Sequence, residues 1–251
     1  KQFGRKRRTV IENGQEAVFE EKKVEEMEVV FLMDRFNYCR TVDVATYERN
    51  KEAADAENRF VFRCKNTGKV CLFTSDGQMH TVKVLDVPFG KFRDKGTPID
   101  NISNFSTGKD TLIYATSQTF LNLYRVIFVT KQSMMKIVDG GEFDVTKRTV
   151  AATKLADDDE VVSVMALTDQ RNIVLQTAEG YFLRFPLEEI PEKKKAAIGV
   201  RGMKLGPKDY VEAVYYTVNA AEQTIEYKSK KIELNKLKLG SRDTKGVKVR
   251  V

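Results

Sequence analysis

The chain has little of what most enzymes rely on. Its 251 residues hold a single histidine, His80. Metal centres built on clustered histidines need two or more imidazoles. A Ser-His-Asp triad would have to recruit His80, and alternation along a strand gives Ser75 and Asp76 no reason to converge on it. His80 therefore reads as a strand histidine just past a turn. Cysteine is scarce too: Cys39, Cys64 and Cys71 make an odd count with no C-x-x-C pair, which excludes a disulfide framework or Cys-rich zinc site and suits a reducing compartment. Five prolines and no Gly/Ser tract leave no flexible linker. There is no G-x-x-x-x-G-K-[ST] loop and no G-x-G-x-x-G after a strand, so nucleotide chemistry has no visible home. No apolar run approaches the roughly 20 residues that a membrane helix needs. No apolar core follows the basic first ten residues, so a secretory leader is not expected and the chain reads as cytoplasmic.

What is present is charge, unevenly spread. The whole chain carries +7, with 43 Lys/Arg against 36 Asp/Glu. Residues 1–10 hold five basic and no acidic side chains, residues 11–180 are net negative, and residues 181–251 hold 16 basic against 9 acidic. Such asymmetry concentrates positive field on part of a surface and makes a polyanion the first partner to consider.

The body reads as short strands. Val29–Met33, Val70–Phe73, Val126–Val129 and Ile173–Leu175 are β-rich runs closed by turn residues such as Asp76-Gly77 and Glu179-Gly180. Only Glu16–Glu28 has a helix-like composition, without a clean apolar stripe. A common layout of strand, turn, basic position and apolar-Pro segment recurs at 29–48, 70–89, 126–144, 173–191 and 224–240. With Phe36, Gly77, Ser133, Gly180 and Tyr227 as turn positions, the period is about 48 residues, which fits a propeller-like array of four-stranded blades. The expected fold is all-β, with about five four-stranded blades and a sixth left open. Residues 1–27 would form a lead-in and 28–251 one domain, since a repeat of this size must bury its faces on its neighbours.

Three or four places after each turn stands a basic or potentially basic residue: Arg40, His80, Lys136, Arg184 and Lys230-Lys231, with Lys83 as an extra charge in the second copy. In a ring, a charge repeated per blade would form a belt for a bent phosphate backbone. The densest basic loop, Lys193-Lys194-Lys195 followed by Arg201 and Lys204, is interleaved with glycines that permit close approach to phosphate. The Asp157-Asp158-Asp159-Glu160 run reads as an inter-strand turn, because consecutive side chains splay apart.

The segment 181–204, YFLRFPLEEIPEKKKAAIGVRGMK, with Lys83-Val84-Leu85-Asp86-Val87-Pro88 in the second copy and Phe3-Gly4-Arg5-Lys6-Arg7-Arg8-Thr9 at the start, resembles the C-terminal domain of the A subunit of bacterial type IIA topoisomerases. The resemblance implies a β-pinwheel whose basic edge binds and bends double-stranded DNA. It also implies that catalysis lies elsewhere: no cofactor would belong to this chain, and ATP and Mg²⁺ would serve the whole enzyme, in which the ATPase B subunit and the remainder of the A subunit are its partners. No membrane partner is expected, and the setting would be the nucleoid. Where supercoiling gyrases carry a Gln-Arg-Arg-Gly-Gly-Lys-Gly-like box, this chain has Tyr47-Glu48-Arg49-Asn50-Lys51-Glu52-Ala53-Ala54; only Ser241-Arg242-Asp243-Thr244-Lys245-Gly246 keeps a weakened version. Arg242 and Lys245 join the candidate contacts, and the resemblance favours topoisomerase IV over gyrase. A propeller-type protein scaffold is the alternative.

Overall fold

The computed structural model describes residues 24–218 and 222–249; most of the lead-in, including Phe3 to Thr9, lies outside the described residues. Five antiparallel hairpins supply the centres of five blades: β1 (Glu28–Asp34) with β2 (Tyr38–Asp43), β4 (Lys69–Thr74) with β5 (Gln78–Lys83), β8 (Arg125–Thr130) with β9 (Met134–Asp139), β12 (Asn172–Thr177) with β13 (Tyr181–Pro186), and β16 (Thr224–Tyr227) with β17 (Lys230–Glu233). The turns need left-handed backbone, found at Asn37, Gly77, Ser133 and Gly180, and at the pair Lys228-Ser229 in the last hairpin. The first and last turns therefore sit one and two residues beyond Phe36 and Tyr227.

Each of the first four hairpins gains a third strand from its own module: β3 (Asn58–Lys65), β7 (Leu112–Ser117), β11 (Val161–Leu167) and β15 (Val211–Thr217). Third strands of successive blades pack on one another, which sets them around the axis. The fourth strand comes from the next module. β6 (Thr97–Pro98), β10 (Thr149–Ala151), β14 (Val200–Arg201) and β18 (Val247–Lys248) each pair with the outer hairpin strand of the blade before. The result is a β-pinwheel of four four-stranded blades and a fifth that has two strands among the described residues. A glycine with positive φ precedes three of these exchanged strands, at Gly96, Gly199 and Gly246. There a Cβ would run into the carbonyls of Cys39, Met135 and Phe182 respectively, so no other residue lets the crossing chain lie so close to its host blade.

The core is divided between blades, as period-two alternation dictates. In β4, Val70 and Leu72 pack toward blade 1 with Phe31 and Met33, while Cys71 and Phe73 pack toward blade 3 with Phe128 and Phe143. Phe73 meets Phe143 edge-on at 5.2 Å between ring centroids. Blade 1 has no preceding neighbour. Its free face, Val30, Leu32 and Val42, is covered by two short helices, α1 (Val44–Arg49) and α2 (Lys51–Glu57), through Tyr47 and Ala54. The Asp43 carboxylate caps α1 by accepting from the Thr46 N–H at 2.7 Å. Helix thus occurs in the stretch after the first hairpin; of the helix-like Glu16–Glu28, residues 24–27 are irregular and Glu28 begins β1.

Candidate nucleic-acid interface

The repeated basic position is not an exposed belt. Hairpin register makes Arg40, His80 and Lys136 equivalent, opposite Leu32, Leu72 and Phe128, but the fourth blade has Leu183 there, opposite Leu175. Arg184 is one residue later, at the register of Thr41, Thr81 and Ile137, and faces blade 5 rather than blade 3. Counting from the turn merged two faces of the sheet.

These side chains look inward and fasten the next module to the blade. Arg40 Nε donates to the Phe92 carbonyl at 3.1 Å. His80 Nδ1 and the Thr149 hydroxyl lie 3.0 Å apart, while the Ser75 hydroxyl accepts from the Thr111 N–H. Lys136 is fully buried, and its ammonium donates to the carbonyls of Lys194, Lys195 and Ala197 at 3.1, 2.6 and 2.7 Å. Burial pushes its pKa down to about 8, with Glu142 favouring the charged form, so at neutral pH it keeps its proton and uses all three donors. Arg184 Nη1 donates to the carbonyls of Asn235 and Leu237 at 2.5 and 3.2 Å. As DNA contacts, Arg40, Lys136 and Arg184 are corrected: all three hold carbonyls of the following module instead of facing outward. Elsewhere, Lys83 is exposed at the end of β5, and Lys230 and Lys231 are exposed on β17, where Lys231 stands opposite Glu226.

The exposed positive charge gathers on the segments that run from each blade's outer edge to the exchanged strand. Residues 87–96, 144–148, 190–199 and 237–246 contain eleven Lys/Arg against four Asp/Glu. Because the exchanged strands lie opposite the axial third strands, these segments form the outer rim. Lys91, Arg93, Lys95, Lys147, Arg148 and Lys238 on them were not singled out from the sequence. The signal was a basic residue close before each exchanged strand, as in Lys95-Gly96, Lys147-Arg148 and Lys245-Gly246. Lys193 and Lys194 are exposed there, Lys195 half-buried. Two lysines at matching positions lie over tyrosines: Lys95 over Tyr38 at 4.5 Å and Lys245 over Tyr181 at 4.7 Å.

Carboxylates restrain part of this charge. Glu142 pairs with Lys194 at 3.1 Å and accepts from the Lys195 N–H. Arg201 makes a two-pronged pair with Asp243, at 2.5 and 3.2 Å, which holds the Asp243 carboxyl below the usual carboxylate range. Arg242 is half-buried and donates to the carbonyls of Arg201 and Glu189, so it acts as a loop staple. Lys204 is exposed beyond β14.

Catalytic groups do not assemble among the described residues. Burial pushes the thiols of Cys39, Cys64 and Cys71 up to about 12, well away from nucleophilic thiolate. Asp157–Glu160 is a turn whose Asp159 accepts from the Gln132 N–H and whose Glu160 pairs with Lys131. No cluster of three or more potential metal ligands occurs among the described residues.

Residues 124–168, 171–217 and 228–250, which follow modules three to five, match the family described as DNA gyrase C-terminal domain, beta-propeller. The chain belongs to the family of β-pinwheels that form the C-terminal domains of type IIA topoisomerase A subunits. Among relatives, the DNA gyrase A protein of Lawsonia intracellularis is 31% identical over 197 residues, covering 74% of this chain and 24% of that protein. The chain spans about a quarter of the length of the curated relatives it matches. Among solved structures, the C-terminal domain of DNA topoisomerase IV superposes with a TM-score of 0.78 at 22% identity, covering 89% of this pinwheel and 73% of that chain. The E. coli ParC C-terminal domain gives 0.70 at 15% identity, covering 89% and 94%. Relatives by sequence carry the gyrase name and the two structures the topoisomerase IV name, so the pinwheel is common to both.

Proposed function

We propose that this pinwheel binds duplex DNA along its outer rim, bends it, and presents the bent segment for strand passage by a type IIA topoisomerase, working in the cytoplasm with an ATPase B subunit and the remainder of the A subunit. The observation that carries the reading is the recurrence of cationic linking segments at one topological place in four consecutive modules, on the edge away from the axis. Phosphates neutralised there release counterions, and bending a site of about 20–30 base pairs by 40–90° costs on the order of 1–6 kcal/mol, which several contacts together exceed. The chain's own part is electrostatic and needs no cofactor.

Module 1 supports a topoisomerase IV-like role, in decatenation and relaxation, over gyrase-like wrapping. Where the other modules carry a basic linking segment, it has α1 and α2, whose six charged residues are four acidic and two basic. A DNA path along the rim would thus cover modules 2 to 5 and lack a positive anchor at the first blade. A salt titration of the purified chain with a labelled duplex tests binding: affinity falls by orders of magnitude between 50 and 200 mM salt if several phosphates are held. Failure to bind at 50 mM removes the reading. In the complete enzyme, ATP-dependent unlinking of catenated circles without negative supercoiling of relaxed ones supports the topoisomerase IV role, and supercoiling assigns the chain to gyrase.

A further inference from the structure

Two apolar side chains stand exposed on the cationic rim at the same register. Phe89 forms a parallel bridge with Thr41, and Leu239 with Arg184, which hold equivalent places in the outer hairpin strands of blades 1 and 4. Phe89 is 57% exposed and Leu239 52%. Each is followed by glycine, Gly90 and Gly240, whereas the same bridge in the module between uses Glu192-Lys193.

Their backbone is fixed. The Thr41 N–H donates to the Pro88 carbonyl at 2.8 Å and the Gly90 N–H to the Thr41 carbonyl at 3.1 Å; in module 5 the Gly240 N–H donates to the Arg184 carbonyl at 2.8 Å. The segment buries an aromatic ring where folding uses one: Phe92, three residues on, packs beside Val30 and Leu32 with the Arg40 guanidinium over it at 5.7 Å. Phe89 is left pointing out between cations, with Lys91 and Arg93 close in the chain, as Lys238 is beside Leu239. The exposed Phe36, by contrast, has the polar residues Asp76, Gln132 and Glu179 as its counterparts in the other hairpin turns.

A rigidly held apolar residue on a phosphate-binding surface matches one ligand chemistry, the base stack of a bent duplex, into which an apolar wedge can be pushed from the minor groove to unstack one step and kink the helix. The glycine that follows removes the next side chain and lets the backbone come near the groove floor. We propose that Phe89 and Leu239 are two such wedges, so that the curvature of the bound DNA is concentrated at two kinks, at modules 2 and 5, instead of being spread evenly along the rim. This rests on the DNA-binding reading above. It implies a preference for easily unstacked TA and CA/TG steps without hydrogen-bonded base readout.

The chain contains no tryptophan, so Phe89→Trp places one indole at the wedge. With a duplex of about 30 base pairs carrying TA steps and dyes at both ends, anisotropy reports binding, energy transfer reports bending, and indole emission reports stacking. Stacked on a base, the indole loses more than half of its emission and becomes shielded from acrylamide. In the wild-type background, Phe89→Ala with Leu239→Ala keeps affinity at 50 mM salt within about tenfold, because phosphate contacts dominate it, but loses most of the end-to-end shortening. Both positions are exposed, so the variants fold, and circular dichroism verifies this. Binding with unchanged indole emission, or unchanged bending by the double variant, overturns the wedges and leaves the DNA-binding reading intact. Absence of binding by the wild-type chain at 50 mM overturns both.

Discussion

The Lys136 ammonium donates to the Lys195 carbonyl oxygen at 2.6 Å, joining a buried strand of blade 3 to the basic loop of module 4. A residue that resembles a phosphate ligand in the sequence is a structural pin whose partners are backbone carbonyls. Lys136→Met keeps much of the aliphatic volume but strands the carbonyls of Lys194, Lys195 and Ala197. With each unsatisfied buried acceptor costing about 1–3 kcal/mol, the expected loss is about 3 kcal/mol or more, read from urea denaturation. Lys193→Met, on the exposed side of the same loop, leaves the midpoint almost unmoved. Equal effects of the two substitutions would contradict the pin.

His80 makes stability depend on pH in a window that nothing else crowds. Burial beside Phe105 and Thr149 lowers its pKa below the ordinary histidine value, with Asp76 and Asp110 opposing the shift. The unfolded chain therefore binds the proton more readily than the folded one. Stability is fully present above the unfolded value near 6.5 and falls as pH drops below it, by at most about 1.4 kcal/mol per pH unit for one proton. As the only histidine, it can be isolated: urea midpoints measured between pH 7.5 and 5.5 decline for the wild type and stay flatter for His80→Gln. A parallel decline in both would assign the dependence to carboxylates.

The modules were legible because their turns and β-branched runs repeat, and because alternation on each hairpin feeds two separate cores, as with Leu72 and Phe73. Strand exchange was not legible. Thr97–Pro98, Val200–Arg201 and Val247–Lys248 are two residues long, too short for any period to declare itself, and their pairing is fixed by the neighbouring blade. That hid the rim, since the exchanged strands show which loops face outward. The slip at Arg184 has the same origin: one residue of turn offset moves a side chain to the other face of a sheet. The helices of module 1 could have been found from Asp43 as an N-cap before Lys51-Glu52-Ala53-Ala54-Asp55-Ala56-Glu57, a strong helix-forming run.

The rim predicts which charges set the salt dependence of DNA binding. Lys91, Arg93, Lys147 and Arg148 are exposed, and none forms a salt bridge with a carboxylate among the described residues. Replacing all four by Ala should lower the slope of log K against log salt by about 3 to 4, near 0.9 for each phosphate no longer neutralised, with similar weakening for unrelated sequences. Replacing Lys193, Lys194, Lys195 and Arg201 should reduce the slope by less, since Glu142 and Asp243 already neutralise part of that loop. Equal slopes for wild type and the first variant would move the interface off modules 2 and 3.

Asp243 offers the opposite test, a gain of binding by removing one carboxylate. Its two oxygens hold the Arg201 guanidinium, whose side chain is still 54% exposed, and Arg242 and Lys204 add to the positive surroundings. Asp243→Asn leaves a hydrogen-bond acceptor for Arg201 but takes away the charge, so phosphate becomes the better partner for the guanidinium. The pair is solvent-exposed, and such pairs contribute little to folding, so the thermal midpoint should scarcely change. Affinity for duplex DNA should rise and the salt slope steepen by up to about one phosphate's worth. Combining Asp243→Asn with Arg201→Ala should abolish the gain, because no freed guanidinium remains to be recruited. If the gain persists in the double variant, the effect comes from the general field of the rim and Arg201 does not touch the DNA.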